Sequence, residues 1–259
     1  MKRLVRAFLL YISLSTTIFC QTIDEFSSTV AFLSQTYPND TIKFGTGFFV
    51  ATEKSLYLIT AQHVSTFLTI NSNVTIRKEH DIPLKLELSQ LVSEGKLTWY
   101  FHEEGDIAIL KLSPKEDIFP NLKGHFLKLS HIYSKKESIS REITITVLGF
   151  PLMLGTEELF SPISKETKPA SGFMKLLRPD TKKLATFFIT QDPSVGGFSG
   201  GPVFDMGLPV QSTATLIIRE TNPQVIGLVS GTLSDDTGGK LGAVVPSYQI
   251  FELILNIDK

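Results

Sequence analysis

The chain has 259 residues, of which 42% are hydrophobic and 20% are charged, and its formal net charge is −1. This composition supplies enough apolar residues for a buried core, and it lacks the basic excess with which proteins bind nucleic acids or anionic membrane surfaces. We therefore expect a folded globular domain that has neither of these partners.

The first twenty residues have the pattern of a secretory signal peptide. Three basic residues precede an apolar stretch that runs from Ala7 to Phe19. We expect cleavage near Cys20, which leaves residues 21–259 as a secreted or periplasmic protein. An uncleaved membrane anchor is the alternative, although the stretch is short for a membrane span. Because Cys20 is the only cysteine, the mature chain would contain no disulfide bond.

Short apolar runs separated by turn residues fill the rest of the chain and predict an all-β protein. The polar stretch 134–141 is the predicted connection between two halves. A closing amphipathic helix is predicted over residues 247–257, where apolar residues recur with helical spacing after Pro246. The main predicted strands are Val30–Gln35, Gly47–Ala51, Leu56–Thr60, Val74–Lys78, Leu84–Leu88, Asp106–Leu112, Ile143–Leu148, Thr186–Gln191, Pro202–Asp205, Thr215–Arg219, Val225–Val229 and Leu241–Val245.

Two of these strands have residues suited to proton transfer at their ends. His63 follows the strand at 56–60, and Asp106 opens the strand at 106–112. Taken singly, each is an ordinary packed or turn residue. Together they suit a triad, in which an imidazole takes a proton from a hydroxyl while a carboxylate fixes the imidazole's tautomer.

Ser199 lies among closely spaced glycines in the segment 196–204. Such a turn can present a hydroxyl as a nucleophile and direct backbone N–H groups at the oxyanion that forms on attack. A surface turn is the plain alternative, because glycine and serine are common in turns. The other motifs favour the nucleophile.

The order of residues along the chain limits the class of enzyme. The sequence around Ser199 also fits the G-x-S-x-G motif of α/β-hydrolases, but all five histidines precede Ser199, whereas that fold places its histidine after the serine. A subtilisin-like order would need an acid before His63, and neither Asp24 nor Asp40 lies in a recognisable setting. The order His, Asp, Ser remains.

The chain resembles the trypsin-like serine proteases and is most similar to the bacterial HtrA-type protease domain. The resemblance covers residues 28–257 and implies two antiparallel six-stranded β-barrels, at about 28–133 and 141–246, followed by the helix at 247–257. No PDZ domain is recognisable. The segments that carry the resemblance are 45–50, 60–64, 105–110 and 197–202, with 225–231 and 242–247 at the end of the domain.

The resemblance implies a serine endopeptidase that cleaves polypeptides through an acyl-enzyme intermediate. His63 would be the general base and acid, Asp106 its orienting carboxylate and Ser199 the nucleophile. The backbone N–H groups of Gly197 and Ser199 would form the oxyanion hole. The implied substrate-binding residues are Pro193, Ser194, Ser230, Gly231, Thr232 and Gly242.

None of these substrate-binding residues is acidic, although Asp192 lies one position from the expected base of the specificity pocket. Cleavage after Arg or Lys normally requires a carboxylate at that base. We therefore expect a preference for small or medium apolar side chains before the cleaved bond.

Phe198 departs from the family's motif. Digestive enzymes have Asp at this position, where it pairs with a freed N-terminus, and HtrA-type enzymes usually have Asn. Activation by that ion pair is therefore not available. Phe198 either packs beneath the glycine-rich turn that contains Ser199, which we call the serine loop, or disturbs the oxyanion hole. In the second case the alternative function is an inactive, protease-fold protein that binds peptides, and hydrolysis of a non-peptide ester is a third option.

No metal or other cofactor is expected. The segment from His102 to Asp106 contains four possible metal ligands, but no second ligand group with helical or finger spacing accompanies it. A solvated loop that leads to Asp106 is the better interpretation. Because secreted animal proteases of this type commonly contain disulfides, the single cysteine favours a bacterial, extracytoplasmic protein.

Overall fold

The computed structural model describes residues 23–93, 95–178, 180–207 and 223–259, together with the backbone of 211–212 and 215–216. The predicted signal peptide, residues 1–20, lies outside these ranges, as does the end of the strand predicted at Thr215–Arg219. Within the described ranges, no helix has both the length and the apolar character that crossing a bilayer requires.

The regular structure is mainly antiparallel β-sheet, which confirms the predicted all-β class. The first sheet is formed by β1 (Val30–Thr36), β2 (Ile42–Ala51), β3 (Leu56–Thr60), β4 (Asn73–Arg77), β5 (Pro83–Glu87), β6 (Trp99–Phe101), β7 (Ala108–Leu112) and β8 (Phe126–Lys128). Its order is β5-β4-β1-β2-β3-β7-β6, with β8 parallel to β2.

The second sheet is formed by the later part of the chain. Its strands are β9 (Ile145–Gly149), β10 (Ile163–Thr167), β11 (Met174–Leu177), β12 (Leu184–Thr190), β13 (Pro202–Asp205), β16 (Gln224–Ser234) and β17 (Lys240–Pro246); β14 (Gln211–Ser212) and β15 (Thr215–Leu216) form a separate pair. The order in the second sheet is β10-β9-β13-β16-β17-β12-β11. The two sheets thus have eight and seven strands, where the resemblance implied six each.

Four helices and four short 3-10 turns complete the regular structure of the described residues. The helices are α1 (Ile23–Ser27), α2 (Gln62–Ser65), α3 (Phe119–Leu122) and α4 (Tyr248–Ile257), and the 3-10 turns are Glu79–Asp81, Leu88–Gln90, Leu129–His131 and Pro151–Met153. Helix α4 agrees with the closing helix predicted at 247–257. It buries Ile250 and Ile254, two of the residues with the predicted helical spacing.

The central strands form where the sequence is most apolar, because both faces of these strands are covered. Phe48, Phe49 and Val50 in β2 are all completely buried. A main apolar core includes residues of both sheets, and a smaller core lies within the second sheet around Phe188. Burial of this aliphatic and aromatic surface is the dominant favourable term in folding.

Five strands were not predicted: β6, β8, β10, β11 and β14. The first four have five residues or fewer and at most one buried side chain each. Because these strands bury so little, their sequences lack the apolar alternation that reveals a strand.

Candidate active site

The pairing of β3 with β7 brings His63 and Asp106 to one edge of the first sheet. Thr60 at the end of β3 lies opposite Ala108 at the start of β7. His63 follows β3 in helix α2, and Asp106 lies two residues before β7. Antiparallel pairing therefore makes neighbours of two residues that are 43 positions apart.

The His63 imidazole and the Asp106 carboxylate form a hydrogen-bonded dyad. His63 Nδ1 lies 2.7 Å from Asp106 Oδ2, and the backbone N–H of His63 donates to Asp106 Oδ1 at 3.1 Å. Because a carboxylate can only accept, Nδ1 carries the proton in this pair. The other ring nitrogen, Nε2, is then free to accept one.

Asp106 is 2% exposed, and four donors surround its carboxylate. Besides the two groups of His63, Ser230 Oγ donates to Oδ2 at 2.6 Å and Arg178 donates to Oδ1 at 2.9 Å. Burial raises the pKa of the Asp106 carboxyl, but the hydrogen bond and charge of His63, together with the other donors, outweigh it and lower that pKa below its ordinary value of 3.8. Asp106 is therefore held as a carboxylate.

Ser199 is connected to the dyad through Ser230. Ser199 Oγ donates to the Ser230 carbonyl oxygen at 3.1 Å, while the Ser230 hydroxyl binds Asp106. Within the described ranges Ser199 Oγ has no hydrogen bond to the His63 ring. Such contacts are often long in unliganded enzymes and tighten with substrate, so the hydroxyl needs only a rotation about its Cα–Cβ bond to leave Ser230.

A β-bulge frees Ser230 for both contacts. The register between β16 and β17 shifts between Val229 and Gly231, so Ser230 is the extra residue on its strand. Bulges next to active sites commonly redirect a side chain in this way.

Strand β2 of the first sheet holds the serine loop of the second half. The Thr46 N–H donates to the Ser199 carbonyl at 2.8 Å, and Thr46 Oγ1 donates to the Gly197 carbonyl at 2.6 Å. The same hydroxyl accepts the Phe150 N–H at 3.1 Å. Thr46 is completely buried, so its hydroxyl connects two loops without competition from water.

The two N–H groups predicted to form an oxyanion hole have no hydrogen-bond acceptor among the described residues. The carbonyl of Gly196 accepts from Leu152 N at 2.9 Å. In a trans peptide the C=O and N–H point in opposite directions, so the Gly197 N–H points away from Leu152. Gly197 has φ of 108°, and a Cβ there would lie 2.3 Å from the Phe150 carbonyl oxygen, so this turn requires glycine.

Phe198 packs beneath the serine loop, which is the first of its two predicted alternatives. Its side chain is 2% exposed and belongs to the core of the second sheet, with Val147, Phe188 and Val203. Phe198 N–H also donates to the Val195 carbonyl at 3.1 Å. The loop is therefore anchored by apolar burial at the position where digestive enzymes have an aspartate.

The residues predicted to bind substrate lie around two cavities. Pro193, Ser194 and Gly242 line a cavity of only about 20 Å³. Thr232 Oγ1 donates to the Ser194 carbonyl at 2.7 Å and so joins β16 to the loop before the serine. A cavity of this size holds about one water molecule or a small side-chain group.

The second, larger cavity adjoins the dyad. It measures about 270 Å³ and is lined by the predicted residues Ser230, Gly231 and Thr232 as well as by His63 and Asp106. Its other walls are mainly apolar and come from the β11–β12 hairpin and its neighbours: Leu176, Leu177, Phe187, Leu233 and Ala243.

Asp192, which lies near the predicted pocket base, forms a hydrogen bond within the protein. Its carboxylate accepts from Thr167 Oγ1 at 2.7 Å. The Lys165 ammonium donates to the neighbouring Pro193 carbonyl and adds a positive charge to the same region. One carboxylate oxygen of Asp192 is thus bound to Thr167, and both Asp192 and Lys165 line the small cavity.

Three residues at the site were not recognised in the sequence: Thr46, Gln62 and Arg178. Thr46 lies in the segment 45–50, one of those that carry the resemblance, but its hydrogen bond to Gly197 spans 151 residues. Arg178 reaches Gln62 and Asp106 from a hairpin that has no recognisable motif. Only the folded chain brings these groups together.

The acidic segment before Asp106 does not form a metal centre. In the described ranges no three His, Cys, Asp or Glu side chains are grouped so that they could hold a metal ion. His102 instead faces Glu252 at 3.5 Å, and Glu104 pairs with Lys175 at 2.7 Å.

Comparisons with known proteins agree with this geometry at the level of the fold. No family model and no curated protein matches the chain. The active form of the Rv3671c protease from M. tuberculosis matches with a TM-score of 0.56 and 19% identity, over 90% of this chain and 82% of that chain. Its inactive form gives a TM-score of 0.52 and 18% identity, over 92% of each chain.

A structure of the HtrA-type protease AlgW with a tripeptide matches with a TM-score of 0.54 and 14% identity, over 91% of this chain and 62% of that chain. At such low identities the likeness establishes the fold. The chain therefore has the trypsin-like fold of HtrA-type proteases, as the sequence resemblance implied.

Proposed function

We propose that this protein is a serine endopeptidase whose catalytic residues are His63, Asp106 and Ser199. The observation that carries the proposal is the hydrogen-bonded dyad of His63 and the buried Asp106, connected through Ser230 to Ser199, whose turn has two N–H groups without an acceptor among the described residues. A nucleophile, a base, an orienting carboxylate and oxyanion donors are the parts that acyl transfer requires.

In the proposed reaction, Ser199 Oγ attacks the carbonyl carbon of the cleaved peptide bond and gives its proton to His63 Nε2. The N–H groups of Gly197 and Ser199 stabilise the resulting oxyanion. Collapse of this intermediate breaks the C–N bond, and the leaving amine takes the proton from His63. A water molecule then attacks the acyl-enzyme, again with His63 as base, and releases the acid and free Ser199.

We propose that substrate backbone pairs with the edge of β16 at residues 230–232. Main-chain hydrogen bonds of this kind supply affinity, and side-chain pockets supply selectivity. The tripeptide in the AlgW structure is consistent with polypeptide substrates for this fold. The cavity lined by Pro193, Ser194 and Gly242 favours small side chains before the cleaved bond, because its volume is only about 20 Å³.

The sequence pattern of residues 1–20 supports an extracytoplasmic role. We propose that residues 1–20 are removed as a signal peptide and that 21–259 form the protease domain, with halves at about 28–133 and 141–246 and the helix at 247–257. No cofactor takes part in this proposal.

A protein that binds peptides without cleaving them is the second candidate function. It is favoured by one observation, that Ser199 Oγ donates to the Ser230 carbonyl and not to His63. The two candidates share the fold and the peptide-binding edge, so only chemistry at Ser199 separates them.

Hydrolysis of a peptide library, followed by mass spectrometry of the products, tests the proposal. We expect cleavage by the wild type, and replacement of Ser199 by Ala should lower kcat by roughly 10⁶-fold, because the nucleophile is lost. The exposed Ser134→Ala variant is the matched control and should retain full activity. Correctly folded wild type that binds the peptides and cleaves none of them would favour the binding protein.

A further inference from the structure

Arg178 is a buried cation in direct contact with the dyad. It directly follows β11 at the start of the β11–β12 hairpin, and it is 5% exposed. Its guanidinium donates to Asp106 Oδ1 at 2.9 Å and to the Gly105 carbonyl at 3.0 Å. It also donates to Gln62 Oε1 and forms an ion pair with Asp180.

These contacts hold both of the segments that position the dyad. Gln62 directly precedes His63, and Gly105 directly precedes Asp106. Arg178 reaches them from the second sheet, so one side chain joins a second-sheet hairpin to the dyad of the first sheet. The planar fork of a guanidinium suits this task, because it offers several donors in fixed directions.

The surroundings of Asp106 show what Arg178 supplies. Without its guanidinium, the only remaining donor to Asp106 Oδ1 among the described residues would be the His63 N–H. The larger cavity lies against the same groups, so water could then reach the carboxylate. Removing one partner of a buried ion pair is costly, since it leaves the other charge uncompensated.

We infer that Arg178 is a positioning residue for the proposed protease. It fixes the Asp106 carboxylate and limits how strongly the negative charge of that carboxylate acts on the His63 ring. This inference rests on the proposed function. Among the described residues, the charged groups that face the dyad are Arg178 and, on its far side, Asp180. Lys175 of β11 and Glu104, which directly precedes Gly105, form an exposed ion pair between the same hairpin and the segment that leads to Asp106.

The test compares Arg178→Met with Arg178→Lys and with Lys175→Met. The Lys175 variant is the matched control, because it removes an exposed cation from the same hairpin, also paired to the first half of the chain. We measure kcat and KM for a cleaved peptide across the pH range in which histidine titrates, and the unfolding temperature of each variant.

We expect Arg178→Met to lower kcat at least tenfold, but less than the roughly 10⁴-fold loss that follows when the carboxylate itself is replaced. KM should stay within about twofold of wild type, since the loss is in the transition state. The acid limb of the kcat profile should move to higher pH, because the full charge of Asp106 then stabilises the imidazolium. Arg178→Lys should return the acid limb of the kcat profile to its wild-type position and restore part of kcat. Lys175→Met should match wild type in both quantities.

The inference is overturned if Arg178→Met retains the wild-type kcat, or if its kcat falls with a lower unfolding temperature and an unmoved acid limb.

A separate measurement keeps it testable if wild type proves inactive. The proton between His63 Nδ1 and Asp106 Oδ2 should give a downfield ¹H NMR signal that is absent in Asp106→Asn. Faster solvent exchange of this proton in Arg178→Met supports the inference, and unchanged exchange refutes it.

Discussion

Thr232 fixes the loop before the serine, whose residue Ser194 lines the proposed specificity pocket. Its side chain is exposed at the surface of β16, and its hydroxyl donates to the Ser194 carbonyl at 2.7 Å. Branching at Cβ restricts the rotamers of threonine, so this contact is held at little entropic cost. A single side chain thus fixes one segment of a small cavity whose other lining includes Val147, Lys165 and Phe198.

Replacing Thr232 by Gly should release the loop that carries Ser194 and so let the pocket accept larger side chains. We expect the ratio of kcat/KM for peptides with Phe before the cleaved bond, relative to Ala, to rise about tenfold or more, since pocket contacts change discrimination by this order. The measurement is a paired assay of the two peptides. The exposed Ser234→Gly variant on the same strand is the control. An unchanged ratio in Thr232→Gly would show that the contact between Thr232 and Ser194 does not limit the size of the side chain that the pocket accepts.

At the residue scale, the sequence predicted the members of the site that lie in local motifs. His63, Asp106 and Ser199 each lie beside an apolar strand or a glycine turn whose pattern is visible without a structure. Arg178 was missed, because its partner Asp106 is 72 residues away and the strand before it, β11, lacks apolar alternation. A buried arginine is recognised only when the burial is known.

At the scale of elements, strand β2 acts as a support for the serine loop. Its residue Thr46 uses both its backbone N–H and its hydroxyl to fix the carbonyls of Ser199 and Gly197. With these carbonyls held, the N–H groups of the same turn keep their directions. Strand β2 was predicted from its apolar run, but this support follows from tertiary packing and not from the strand pattern.

Replacing Thr46 by Val should loosen the serine loop, because valine has nearly the same shape and lacks the hydroxyl. Leaving buried partners unsatisfied costs about 1–3 kcal/mol of stability per group. We expect kcat to fall about 10-fold to 10²-fold, as small misplacements of catalytic groups do. Thr46→Ser retains the hydroxyl and should stay close to wild type. Denaturant unfolding and peptide hydrolysis measure the two effects, and a fully active, fully stable Thr46→Val would refute this role.

The bulge at Ser230 is the other element that the sequence could not reveal. The strand was predicted as Val225–Val229, but β16 continues to Ser234 with a shifted register after Val229. Bulges depend on pairing with a particular partner strand, so a single-strand pattern does not contain them. The most important backbone irregularity of the site is therefore a property of two strands together.

At the scale of the whole molecule, the two halves are held together by polar contacts as well as by the shared core. Helix α4 follows the second sheet, yet Asp258 just beyond it accepts from Tyr57 and Thr52 of the first half, the latter at 2.9 Å. Arg178 and Thr46 make similar connections at the site. The dyad and the serine come from different halves, so these contacts fix the distance between them.

The stability of the whole molecule should fall in acid in a way that depends on Asp106. Its native pKa lies below 3.8, so its contribution is fully present above that pH and is lost as pH falls further, through the native pKa. We expect the difference in unfolding free energy between wild type and Asp106→Asn to shrink as pH falls below this value. Urea unfolding at several pH values measures it, and a difference that does not change with pH would contradict the assignment.

The central claim is that Ser199 is an activated nucleophile, and covalent labelling by a fluorophosphonate probe tests it most directly. We predict a single adduct on Ser199 in the intact protein, located by peptide mass spectrometry. Labelling should be lost in Ser199→Ala and nearly abolished in His63→Ala, since the base activates the hydroxyl. Folded wild-type protein that fails to react, or that reacts equally well without His63, would contradict the account.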